Sequence, residues 1–112
     1  MRERSNSGFL EEVNDMIVAQ VSFVPVGAGT SVGRYVREAI NALRASGLKV
    51  VPNAMATVIE APEIDDLFDA VRAAHERLME MGVKRLITEI KIDDRRDKEI
   101  NIESKLKSIE EL

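Results

Sequence analysis

The chain has no cysteine and no tryptophan, and only one tyrosine and one histidine. Without cysteine there are no disulfides, no thiolate zinc sites and no cysteine nucleophile. That composition fits a reducing cytoplasm, where we expect the protein to reside. With one tyrosine, three phenylalanines and a net charge of −4, the chain lacks both the stacking platforms and the basic footprint of a nucleic-acid binder. Long hydrophobic runs are missing as well. The most apolar N-terminal stretch, Met16 to Val26, is interrupted by Gln20 and Ser22. It is too short to span a membrane and too polar for a signal-peptide core. We therefore expect neither a nucleic-acid nor a membrane partner.

What remains is ordinary for one globular domain: 112 residues, 45% hydrophobic and 32% charged. Residues 1–15 are polar and without a clear period, and read as an N-terminal arm. From Met16 the pattern sharpens into a domain over 16–112. Met16–Val26 is rich in β-branched residues and reads as a strand. Ala19, Val21 and Phe23 lie on one face, Gln20 and Ser22 on the other, and Pro25 marks the end. Gly27–Gly29 form a loop, with Thr30 or Ser31 as helix N-cap. The helix runs to about Ser46 on a stripe of Val32, Val36, Ala39, Ile40 and Leu43, and Gly47 ends it.

Leu48–Pro52 and Ala56–Ala61 are two short strands. Their connection is too short for a crossover helix, so they form an antiparallel hairpin. Pro62 opens a second helix, with Glu63, Asp65 and Asp66 near its positive end. Its stripe is Ile64, Leu67, Phe68, Val71, Ala74, Leu78 and Met81, and Gly82 stops it. Val83–Ile92 is the last strand. A charged turn, Asp93–Glu99, precedes a short helix capped by Asn101, with Ile102, Leu106 and Ile109 on one face. Two strand–helix–strand halves in this order predict an α+β ferredoxin-like sandwich, βαββαβ with a C-terminal helix, on a four-stranded antiparallel sheet. Both main helices then cover one sheet face. The other stays bare unless the C-terminal helix folds back over it.

Few residues demand chemistry. The glycines of Gly27-Ala28-Gly29-Thr30-Ser31-Val32-Gly33 are spaced one residue too long for a dinucleotide fingerprint, and the second strand ends without the acidic residue that would hold a ribose. His75 lies beside the buried stripe of helix two and reads as a packed helix residue. No serine has an evident base partner, and no Asp/Glu/His cluster has metal-ligand spacing. We expect no enzyme, no cofactor and no metal. The bare face is more informative. It carries Gln20, Ser22, Glu89, Lys91 and Asp93. The hairpin adds Asn53 and either Thr57 or Glu60, depending on register. Val18, Val24 and Ile87 alternate in phase with them. A sheet face half apolar and half polar suits an oligomer interface that encloses a small-ligand pocket.

The segments V-S-F-V-P-V-G-A-G-T-S-V-G-R-Y-V, A-M-A-T-V-I-E-A, A-A-H-E and K-I-D-D-R-R-D, taken in order, resemble the small thiamine-binding (YkoF-like) proteins. The resemblance runs from about Met16 to Leu112. It implies a ferredoxin-like fold, a homotetramer built as a dimer of dimers, and non-enzymatic binding of thiamine or its hydroxymethylpyrimidine moiety. Ala54, Ala56 and Ala61 stand where that family usually has Pro, Gly and Gly, a departure from the pattern that leaves the pocket's shape and the ligand's identity open. On this reading Gln20, Ser22, Asn53, Thr57, Glu60, Glu89 and Lys91 offer hydrogen-bonding groups to the ligand. Glu60 or Glu89 faces the thiazolium cation, and Tyr35 stacks on a ring. In the K-I-D-D-R turn, Asp93, Asp94 and Arg95 are expected to serve turn structure and subunit contacts, Arg95 through a bidentate pair. The alternative is a structural or regulatory homo-oligomer without a small ligand.

Overall fold

A computed structural model describes residues 16–111; the expected N-terminal arm lies outside the described residues. The order is β1 (Ile17–Pro25), α1 (Gly33–Ala45), β2 (Lys49–Pro52), β3 (Thr57–Ala61), α2 (Ile64–Glu80), β4 (Leu86–Asp93) and α3 (Ile102–Glu110). The strands form one sheet in the order β2-β3-β1-β4, and every neighbouring pair is antiparallel. This is the ferredoxin-like sandwich with one added helix.

The period-2 pattern of β1 decides which face is which. Ile17, Ala19 and Val21 are buried and share a core with Tyr35, Ala39 and Leu43 of α1 and Leu67, Ala74 and Leu78 of α2. Ile17, Leu43, Ile59, Leu67 and Leu78 are fully enclosed, each contributing on the order of 2 kcal/mol by burial. Both main helices stop as the glycines predict. Gly47 and Gly82 follow the last turns at φ +86° and +96°, a conformation that costs other residues more. The hairpin is also as expected, closed by the Asn53 N–H donating to the Ala56 carbonyl at 2.9 Å.

Three local expectations are corrected. Helix α1 begins at Gly33 with Val32 at its N-cap and no side-chain cap, so neither Thr30 nor Ser31 serves; Val32 packs against the core and fixes the entry instead. Pro62 stands one residue before the α2 N-cap, Glu63, rather than in the first turn. The buried stripe of α1 is Tyr35, Ala39 and Leu43, leaving Val36 at 39% exposure. A similar rotation leaves Phe68 of α2 43% exposed and buries Ala70. Alanines on the facing sides let the two helices approach one another and the sheet more closely than Val36 and Phe68 would allow.

The second sheet face is partly covered. Chain leaving β4 returns beneath it, and the Met16 N–H donates to the Ile100 carbonyl at 3.2 Å. Ile100 and Ile102 then form a small second core with Val18, flanked by Val51 and Val58. The rest of that face, toward Val24 and Ile87, stays open.

Candidate functional site

Helix α3 is held over the sheet by its first turn. Asn101 and Ser104 form a reciprocal capping box. The Ile102 N–H donates to Glu60 Oε2 at 2.7 Å, a carboxylate placed against the positive end of a helix. Lys105 Nζ donates to Asp93 Oδ2 at 2.5 Å, and Lys49 lies 3.6 Å from Glu103. Leu106 and Ile109 are 55% and 65% exposed and overhang the strands, enclosing a groove of about 610 Å³.

Apolar walls come from Val18, Val51, Val58, Ile102, Leu106 and Ile109; Gln20, Asn53, Lys91, Asp93 and Lys105 supply the polar groups. Gln20 and Lys91 are cross-strand partners, as are Ser22 and Glu89 one step further along. These four side chains also line an adjoining hollow of about 440 Å³. The two depressions share Gln20 and Lys91, so a polar track runs from under α3 onto the open sheet. An apolar trough with a few convergent amide and charged groups has the chemistry of a small-ligand pocket.

Five expected site residues, Gln20, Ser22, Asn53, Glu89 and Lys91, therefore line one continuous surface. Three do not join them. Tyr35 is buried in the main core on the helix side of the sheet, and its hydroxyl accepts a hydrogen bond from Arg34 at 2.7 Å; it cannot stack on a ligand across the sheet. Thr57 pairs with Val21 and is buried in phase with Ile59 and Ala61, so it also faces the helices. Glu60 is on the predicted face, opposite Val18, but its carboxylate is committed to the start of α3. The register thus decides between Thr57 and Glu60, and gives Glu60 a positioning role. Phe23 packs toward the helices as expected. His75 is half-buried, with Nδ1 at 2.7 Å from Thr88 Oγ1, a packed helix residue.

The charged turn folds on itself. Arg95 forks onto Asp97 at 2.6 and 3.0 Å, and Arg96 onto Asp94 at 3.4 and 2.9 Å. The guanidinium hydrogen bonds hold the Asp97 carboxyl below its ordinary range, and the same pair raises Arg95. Asp93 points to α3 through Lys105 instead. Among the described residues, no group of three or more His, Asp or Glu is placed to hold a metal ion.

What the strand pattern missed is the roof. Lys105, Leu106 and Ile109 complete the groove, and their signal was the apolar stripe of the last helix, which had no place in the main core. The model of the thiamine-binding protein family matches residues 19–110, from the third residue of β1 to the end of α3. The chain belongs to that family. It is similar to the UPF0045 protein MJ1052 of Methanocaldococcus jannaschii, 45% identical over 96 residues that cover 86% of this chain and 94% of that one. The UPF0045 protein YqgV of Bacillus subtilis is 39% identical over 99 residues, covering 84% and 94%. The crystal structure of MJ1052 superposes with a TM-score of 0.80 over 88% of this chain and 99% of that one. A Thermotoga maritima protein named for a proposed role in thiamine biosynthesis or salvage has the same fold, with a TM-score of 0.72 at 22% identity, over 84% of this chain and 98% of that one.

Proposed function

We propose that the protein is a non-enzymatic binder of thiamine or its hydroxymethylpyrimidine moiety, holding it in the groove beneath α3 at an interface between copies of the chain in the cytoplasm. One observation carries the reading. Gln20 and Asn53 stand among the apolar walls of the groove, beside its charged groups, and their side-chain amides have no hydrogen-bond partner among the described residues. An aminopyrimidine has ring-nitrogen acceptors and an amino donor that such amides match. Membership of the thiamine-binding family supports this choice of heterocycle. No catalytic step is assigned: no hydroxyl or thiol nucleophile lines the groove among the described residues, and its Asp93 and Lys105 are paired with each other.

Titration calorimetry tests the proposal directly. Thiamine or hydroxymethylpyrimidine should bind without being consumed, and Gln20→Ala should weaken binding roughly tenfold, the loss of about one buried hydrogen bond. No heat and no melting shift with either compound in large excess would favour the second reading, an assembly protein without a small ligand. That alternative draws on the exposed pair Val24 and Ile87, which are cross-strand neighbours. Turnover of the added compound would instead place the protein among enzymes.

A further inference from the structure

The charges around the groove are unequal, and they narrow the ligand. Two lysines, Lys91 and Lys105, line it with one carboxylate, Asp93. Lys105 is already paired with that aspartate. Lys91 has no ion-pair partner among the described residues. Glu60 is occupied at the start of α3. The remaining carboxylate on this face, Glu89, lies in the adjoining hollow, opposite Ser22. A ligand seated under α3 thus meets the Lys91 ammonium, which is in no ion pair among the described residues, and a carboxylate already paired with Lys105; Glu89 stands two residues along β4 on the same face, outside the groove but in the hollow that Lys91 also lines. An anionic substituent there finds an ammonium whose charge is not already spent in an ion pair.

Building on the proposed pyrimidine pocket, we infer that the groove selects a flat nitrogen heterocycle bearing a phosphate ester, with Lys91 as its anion-binding residue, over the same heterocycle without the ester. The placement supports an ester rather than a bare anion. Gln20 is the cross-strand partner of Lys91, so an amide for the ring and an ammonium for the phosphate stand side by side at one level of the sheet. Apolar walls at Val18, Val58 and Leu106 take the faces of a ring and offer nothing to free phosphate. Lys105 has the second part. Its pairing with Asp93 keeps a carboxylate in the groove neutralised beside the Lys91 ammonium.

Calorimetry on the full chain at low salt tests this with five titrants: hydroxymethylpyrimidine, its monophosphate, thiamine, thiamine monophosphate and inorganic phosphate. The pyrimidine monophosphate should bind at least tenfold more tightly than the unphosphorylated compound, and inorganic phosphate far more weakly than either ester. Lys91→Met should erase the preference for the ester, lowering the affinity for the pyrimidine monophosphate at least tenfold more than that for the unphosphorylated pyrimidine. Lys105→Met, by unmasking Asp93, should raise the affinity for thiamine relative to the pyrimidine. Comparing the two esters reports whether the thiazolium is tolerated once the phosphate is engaged. Equal affinities for the ester and the free pyrimidine, an ester preference that survives Lys91→Met, or inorganic phosphate binding as tightly as the esters would each overturn the inference and leave the pyrimidine pocket standing. If none of the organic titrants binds, it is the pocket itself that fails.

Discussion

Arg95 meets Asp97 through two nitrogens, a geometry that an ammonium cannot copy. Those hydrogen bonds lower the Asp97 pKa. Stability gained from a depressed carboxylate is present above its unfolded value, ~3.9, and is lost as the pH falls through the lower folded value. An NMR titration should place the Asp97 midpoint below the ordinary range, and Arg95→Lys should move it upward; an unmoved midpoint would dismiss the guanidinium as its cause. At Tyr35 the expectation is opposite for its two parts. The ring fills the main core, so Tyr35→Ala should cost roughly 3 kcal/mol in urea unfolding. The hydroxyl meets only the neighbouring Arg34 among the described residues, so Tyr35→Phe should leave both folding and ligand affinity nearly unchanged. A loss of ligand affinity in that variant would return Tyr35 to the site. Tyr35 is buried where the hydrophobic pattern favours Val36, the better hydrophobe one position away. Period alone does not say which of two adjacent residues faces a neighbouring helix, and the alanines that decide it carry almost no hydrophobic signal.

Among the elements, α3 governs the site while contributing little to the main core. Its start was legible: Asn101 before an apolar residue, with Ser104 three positions on, is a local hydrogen-bonding pattern and needs no tertiary information. Its seat was not, because the contact between Glu60 and Ile102 spans 42 residues and depends on the strand register. The strand alternation, by contrast, correctly placed Gln20, Ser22, Glu89 and Lys91 on one face, since a period of two leaves no intermediate orientation. Two variants separate the cap from the anchor. Asn101→Ala should destabilise α3 by about 1 kcal/mol, speeding amide exchange over 102–110 with little change at β1. Glu60→Gln keeps an acceptor but removes its charge, and should loosen the same helix by a similar ~1 kcal/mol. Because α3 roofs the groove, both should weaken ligand binding without touching a ligand-contacting group. Unchanged exchange over 102–110 in Glu60→Gln would mean that the Ile100 and Ile102 core alone holds the helix.

For the whole molecule, the unequal covering of the two sheet faces bears on the proposed association of copies. One face is sealed by α1 and α2. The other is sealed only where Ile100 and Ile102 reach it, leaving Val24 and Ile87 49% and 41% exposed beside each other, with Leu106 and Ile109 exposed on the overhanging helix. Exposed apolar groups that cluster on one side of a small domain mark a contact surface more often than scattered ones do. A second copy laid on this face would bury that pair and close the open end of the groove, converting a trough into an enclosed pocket. Ligand binding and assembly would then be coupled: a ligand favouring the closed arrangement must tighten association by the same factor by which association tightens its binding. Sedimentation at micromolar concentration should therefore show a species larger than the single chain, and Val24→Glu should dissociate it, since a carboxylate buried there would have no partner. The same variant should weaken the heterocycle's binding even though residue 24 does not line the groove. Full ligand affinity in a Val24→Glu monomer would show that one chain makes the whole pocket, and a wild-type protein that sediments only as the single chain would remove the interface altogether.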